Sequence, residues 1–170
     1  ADGWTADFDL ETLDPADGFR LFSSTAGDYI GSPVLDIGDF NGDGFGDFAI
    51  SDPGAELGVY PQGVTYVVFG TDAGMPTDLD LATLDGTNGI RIDGIDPADF
   101  TISVGDGGDF NGDGVDDLLI SFSSLAASSG GGFGSSPPPT ETAYIAFGRS
   151  DLPASLDLTM LGADGVMIKI

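Results

Sequence analysis

Hydrophobic positions fall in short clusters separated by glycine and aspartate, and none repeats with a helical period over a useful length. Thr65-Tyr66-Val67-Val68-Phe69-Gly70 and Ala143-Tyr144-Ile145-Ala146-Phe147-Gly148 are apolar runs of strand length. Phe48-Ala49-Ile50 and Leu118-Leu119-Ile120 are shorter runs with glycine-rich lead-ins, which suit buried strands better than helices. Shorter strands are predicted in Asp17-Gly18-Phe19-Arg20-Leu21, Asn88-Gly89-Ile90-Arg91-Ile92 and Asp164-Gly165-Val166-Met167-Ile168. No apolar run approaches the length of a membrane-spanning helix, so membrane insertion is not expected. The pattern predicts an all-β chain.

The same pattern repeats. Phe8-Asp9-Leu10-Glu11-Thr12-Leu13 recurs as Leu79-Asp80-Leu81-Ala82-Thr83-Leu84 and as Leu156-Asp157-Leu158-Thr159-Met160-Leu161, each time ahead of one of the three short strands. One unit reads as linker, strand, hairpin loop, strand, loop, strand. Repeat 1 covers about residues 8–78, repeat 2 about 79–155, and residues 156–170 read as the opening strand of a further unit, all in one repeat domain spanning 1–170. The second unit is longer, and its extra length falls in 123–140. Three or four antiparallel strands cannot cover both of their own apolar faces, so such units must stack on neighbours. Radial stacking of small four-stranded sheets is the β-propeller solution.

Each unit carries one nine-residue loop. Asp39-Phe40-Asn41-Gly42-Asp43-Gly44-Phe45-Gly46-Asp47 and Asp109-Phe110-Asn111-Gly112-Asp113-Gly114-Val115-Asp116-Asp117 both spell D-F-N-G-D-G-x-x-D, 70 residues apart. Oxygen-bearing side chains stand at positions 1, 3, 5 and 9. Calcium takes about six to eight hard oxygen ligands, and a tight loop with alternating carboxylates supplies them. The expected donors are the side chains of Asp39, Asn41, Asp43 and Asp47 with the carbonyl of Phe45. In the second loop they are Asp109, Asn111, Asp113 and Asp117 with the carbonyl of Val115. Two calcium sites are therefore expected. An EF-hand requires a bidentate glutamate at position 12 and helices on both sides; position 12 is Ile50 in one loop and Ile120 in the other. The plainer alternative is that the Asn-Gly and Asp-Gly pairs only make hairpin turns.

Charge narrows the partners. The chain holds 29 acids and 4 bases, a formal net charge of −25. The acidity argues against nucleic acid or an anionic membrane as a partner, because phosphate contacts need lysine and arginine. Cations and basic surfaces are favoured, yet two calcium ions would leave a charge of −21, so most acids serve solvation. Glycine and proline, at 28 and 10 residues beside 41 % hydrophobic content, fit an all-β chain with many turns. Ala1-Asp2-Gly3-Trp4 shows neither the basic nor the apolar region of a signal peptide, and any such leader is expected to have been removed or to lie outside this chain.

Histidine and cysteine are absent, which removes the usual general base and thiol nucleophile; an enzyme is not expected. Asp116-Asp117 reads as one ligand beside a solvated neighbour, since adjacent strand residues point to opposite faces. Residues 123–140, with Gly130-Gly131-Gly132 and Pro137-Pro138-Pro139, read as a tolerated insertion. Residues 52–62, with Tyr60 and Pro61, suit contacts better, and Trp4 is expected to pack over a neighbouring sheet. Arg20 and Arg91 stand at equivalent places, where ion pairs with aspartate are expected.

These features together resemble the FG-GAP repeats of the integrin α-chain β-propeller and their bacterial relatives on large secreted proteins. The resemblance rests on the two D-x-N-x-D-G-x-x-D loops, the pairs Phe69-Gly70 and Phe147-Gly148, the strands before them, and the Leu-Asp-Leu linkers. It implies antiparallel propeller-type blades with a calcium-binding hairpin in each. It further implies a secreted or cell-surface module making protein–protein or protein–glycan contacts. The family's Gly-Ala-Pro stands here as Asp52-Pro53-Gly54, and as Ser121-Phe122-Ser123 in the second unit. Integrin-type propellers close with seven blades, whereas two are expected here, so homo-oligomeric closure enters as an alternative. A non-catalytic piece of a calcium-dependent extracellular enzyme is the other.

Overall fold

The computed structural model describes residues 11, 13–14, 17–24, 30–55, 63–94, 99–124 and 141–169. Trp4, Phe8-Asp9-Leu10, Tyr60, Pro61 and residues 125–140 lie outside them. Among the described residues the fold is all-β, with several antiparallel sheets and no helix of seven or more residues. In chain order the strands are β1 (Arg20–Phe22), β2 (Val34–Gly38), β3 (Asp47–Asp52), β4 (Val64–Val68), β5 (Asp78–Asp80) and β6 (Gly89–Asp93). Then follow β7 (Asp99–Gly108), β8 (Asp117–Ser124), β9 (Glu141–Ala146), β10 (Ser155–Leu156) and β11 (Gly165–Lys169).

Two antiparallel sheets of corresponding order dominate. The first runs β2-β3-β4-β6, with the two-residue β10 added in parallel outside β6, and the second β7-β8-β9-β11. Their registers correspond position by position. Phe48 faces Val68 and Val68 faces Gly89, while Leu118 faces Ala146 and Ala146 faces Gly165. Both sheets also carry a register shift just before the loop, between Asp36 and Gly38 and between Asp106 and Gly108. Such a bulge re-aims the strand as it leaves the ladder, here into the D-F-N-G-D-G turn.

Sheet and sequence unit are out of phase by one strand. Residues 165–169, expected to open a further unit, are hydrogen-bonded to β9 and finish the second sheet. Residues 89–93 complete the antiparallel part of the first sheet in the same way. β1 pairs in parallel with β5, as β6 pairs with β10. The Leu-Asp-Leu linkers supply those parallel strands and then turn. Asp80 accepts a hydrogen bond from the Ala82 N–H at 3.0 Å and Asp157 from the Thr159 N–H at 2.8 Å, each capping a single 3-10 turn. The flanking Leu79, Leu81, Leu156 and Leu158 are buried. The alternation of leucine and aspartate is thus a buried anchor, a cap and a second anchor.

The core lies in two layers. Between the sheets, Ile37, Ala49, Val67, Ile90 and Ile92 meet Val104, Leu118, Ile120, Phe122 and Tyr144. On the far side of the first sheet, Ile50, Val64, Tyr66 and Val68 pack with Leu79 and Leu81. The expected ion pairs form: Arg20 with Asp78 at 2.8 Å and Arg91 with Asp93 at 2.5 Å. Arg20–Asp78 is exposed and Arg91–Asp93 half-exposed, and such pairs contribute little, about 0–1 kcal/mol each.

Candidate metal centre

Each loop is a closed set of side-chain-to-backbone hydrogen bonds. The Asp39 carboxylate accepts from the N–H of Asp43 and of Gly44, both at 2.9 Å. Asn41 Oδ1 accepts from the Asp43 N–H at 2.8 Å, and Asp43 Oδ1 from the Phe45 N–H at 2.9 Å. The second loop repeats these contacts. Asp109 accepts from Asp113 and Gly114, Asn111 from Asp113, and Asp113 from Val115, at 2.9–3.0 Å. Asn41 Nδ2 also donates to Asp43 Oδ2 and Asn111 Nδ2 to Asp113 Oδ2, at 2.9 and 2.8 Å. The sequence folds this way because Asp and Asn side chains bond backbone N–H groups two residues on. Gly42 and Gly44, at φ of 73° and 94°, admit the left-handed steps between them.

Position 9 does something the sequence reading did not foresee. Asp47 is buried, and its Oδ2 accepts from the N–H groups of Phe40 at 3.0 Å and Asn41 at 3.1 Å. Its Oδ1 accepts from the Gly70 N–H at 2.8 Å. Asp117 matches it through Phe110 and Asn111 at 2.8 and 3.2 Å, and through Gly148 at 3.0 Å. One carboxylate thus ties the loop's entry to the Phe-Gly pair at the end of the third strand. A Cβ on Gly70 would stand 2.3 Å from the Gly46 carbonyl oxygen, and one on Gly148 2.2 Å from that of Asp116. Only glycine brings its N–H so close. The signal was present in the sequence, since D at position 9 and the Phe-Gly pair occur together in both units. Burial pushes the Asp47 carboxyl up to about 6, against the opposing pull of the Gly70, Asn41 and Phe40 N–H groups.

Asp116 corrects the solvated-neighbour expectation. It is partly buried, and its Oδ2 accepts from the Asp39 N–H at 2.8 Å, across to the first loop. The space exists because Gly38 has no side chain: a Cβ there would lie 2.0 Å from that oxygen. The Asp116 N–H donates to the Asp39 carbonyl at 3.2 Å and the Arg149 N–H to the Phe40 carbonyl at 3.0 Å. The base of the first loop therefore rests on the second sheet.

The donor set suits a hard divalent cation in kind. Asp43, Asp109, Asn111 and Asp113 are exposed, and Asp39 and Asn41 partly so. Both Asp39 oxygens and both Asp43 oxygens each accept one hydrogen bond and keep a second lone pair, whereas Asp109 Oδ1 accepts from both Gly112 and Asp113. The arginine ion pairs go to Asp78, Asp93, Asp151 and Asp164, none of them a loop acid. Among the described residues no three acidic side chains converge on one point; the loop oxygens face backbone N–H groups. No described helix is long and apolar enough to cross a membrane. A scan against protein-family models finds no match, and neither does a search of curated proteins.

Proposed function

We propose that the chain is a calcium-binding structural and adhesive module built of two FG-GAP-like, propeller-type blades, from a secreted or cell-surface protein. The observation that carries this reading is the pair of loops. Both present Asp, Asn and Asp oxygens at positions 1, 3 and 5, and both share one hydrogen-bond scaffold. Asp39, Asn41, Asp43 and the Phe45 carbonyl would hold one ion; Asp109, Asn111, Asp113 and the Val115 carbonyl the other. Asp47 and Asp117 would contribute from beneath while anchoring the Phe-Gly pairs.

Bound calcium would neutralise acids crowded into one turn. Because it binds chiefly the folded chain, its affinity adds to stability. With no histidine or cysteine and a net charge of −25, the module acts by binding, through its loops, to a protein or glycan. The test is a calorimetric calcium titration of the intact chain and of Asp43→Ala and Asp113→Ala. Two sites are expected, each substitution weakening its own loop by at least about tenfold, as loss of a first-rank carboxylate ligand does. Titrations of both variants indistinguishable from the parent would refute the ligand assignment.

A further inference from the structure

β1, β6 and β11 are copies of one strand. Arg91 of β6 faces Tyr66 of β4 as Met167 of β11 faces Tyr144 of β9, and Arg20 of β1 takes the same place in the sequence repeat. Two of the three copies carry a parallel strand on one edge. Arg20 pairs with Asp78 and Leu21 with Leu79, while Arg91 pairs with Ser155 and Ile92 with Leu156. The same bond closes each contact, from the Arg20 N–H to the Thr77 carbonyl at 2.7 Å and from the Arg91 N–H to the Ala154 carbonyl at 2.9 Å. The added strand opens a Leu-Asp-Leu-x-x-Leu segment in both cases, residues 79–84 and 156–161.

β11 ends its sheet, and no described residue pairs with its outer edge. Bonding direction alternates along an antiparallel ladder, and the Phe147 N–H donates to the Asp164 carbonyl as the Phe69 N–H does to that of Asn88, at 2.8 and 3.1 Å. β11 thus keeps the phase of β6, and the Met167 N–H points outward as the Arg91 N–H does. Val166, Met167 and Ile168 are 40, 51 and 40 % exposed, whereas Ile90 and Ile92 are buried. Leu156, set beside Ile92, is buried with it in the core between the sheets. An open row of backbone donors and acceptors beside apolar side chains is a template for strand addition.

We propose that the outer edge of β11 binds, in parallel, an extended segment of pattern Leu-Asp-Leu-x-x-Leu from a partner polypeptide. The molecule shows twice what this edge takes, on β1 and on β6. In the register of those two contacts the residue before the first leucine pairs with Met167, and that leucine lies beside Ile168. Continued by one residue, the register sets the segment's aspartate opposite Lys169, where β6 has Asp93. One of the chain's four bases therefore stands across from the partner's acid, so this edge suits an acidic strand better than the edge of β6 does. Main-chain bonds hold such a strand, and its alternate side chains give specificity. The contact rests on the repeated strands and linkers and does not depend on the calcium reading.

The test is titration of the intact chain with a labelled synthetic peptide of residues 153–161, in salt that screens the chain's negative charge. Anisotropy reads the binding, and nuclear magnetic resonance reads hydrogen exchange at the Met167 amide. Saturable binding is expected, with that amide protected in the complex and open in the free chain. A peptide carrying Leu156→Asn and Leu158→Asn, or one N-methylated at Leu156, should bind at least about tenfold more weakly, as loss of an apolar anchor or a ladder bond does. The chain variant Met167→Pro should lose binding to the same degree, since it removes the outward N–H and spares the ladder to β9. A circular dichroism melt establishes that this variant is folded; if it is not, the two altered peptides decide. No binding up to the peptide's solubility limit would overturn the proposal, and so would altered peptides that bind like the parent. A Met167 amide already protected in the free monomer would show that the chain's own residues fill the edge. A peptide-free dimer that Met167→Pro dissociates would assign the edge to a second copy, and either result overturns the proposal.

Discussion

Asp116 shows how much one side chain decides. Its carboxylate fills the space above Gly38 and caps the Asp39 N–H from the second loop, 77 residues away. Removing it leaves a partly buried donor without its acceptor, which costs about 1–3 kcal/mol. Asp116→Ala should therefore lower the unfolding free energy by about that amount in denaturant titration. Asp116→Asn, which keeps an acceptor oxygen, should lose less. Because Asp39 is the first residue of its loop, Asp116→Ala should also weaken calcium binding at the first loop more than at the second. Equal stability of parent and Asp116→Ala would show that the cap contributes nothing. Asp47 and Asp117 act at the same scale, each gathering three N–H groups from two parts of the chain.

At the scale of elements, the Phe-Gly pairs join the third strand of each sheet to the loop between the first two. Alanine at Gly70 or Gly148 would press a methyl group within 2.3 or 2.2 Å of a backbone carbonyl oxygen, so the pair must move away from its aspartate. Gly70→Ala and Gly148→Ala are expected to destabilise by about 1–3 kcal/mol, the usual range for overpacking, read as a lowered melting midpoint. Unchanged midpoints would contradict the tie. The strands themselves were legible in the sequence, because runs such as Thr65–Phe69 and Leu118–Ile120 follow directly from burial on the sheet faces. The loop residues were legible for the same local reason, as Asx side chains bond their own turn. The role of Asp116 was not, since it depends on a contact between sheets that no local pattern encodes. Which sheet each short strand joins was equally hidden: residues 89–93 and 165–169 stand beside the linkers in sequence but pair backward, with β4 and β9.

For the whole molecule, two sheets share one core, and the first loop rests on the second sheet through Asp116 and Arg149. Ions bound at either loop would therefore stabilise the unit as a whole, against the self-repulsion of a chain at −25. With free calcium about a hundredfold above the dissociation constant, each site adds about 2.7 kcal/mol. For a domain of this size 1 kcal/mol moves the midpoint by about 2–4 °C, so two sites raise it by roughly 10–20 °C. The most direct measurement is a thermal melt followed by circular dichroism, in calcium and then in excess chelator. A midpoint that falls by that amount on chelation, and returns when calcium is restored, is the predicted result. A midpoint indifferent to calcium would contradict the account and leave the two loops as hydrogen-bonded turns.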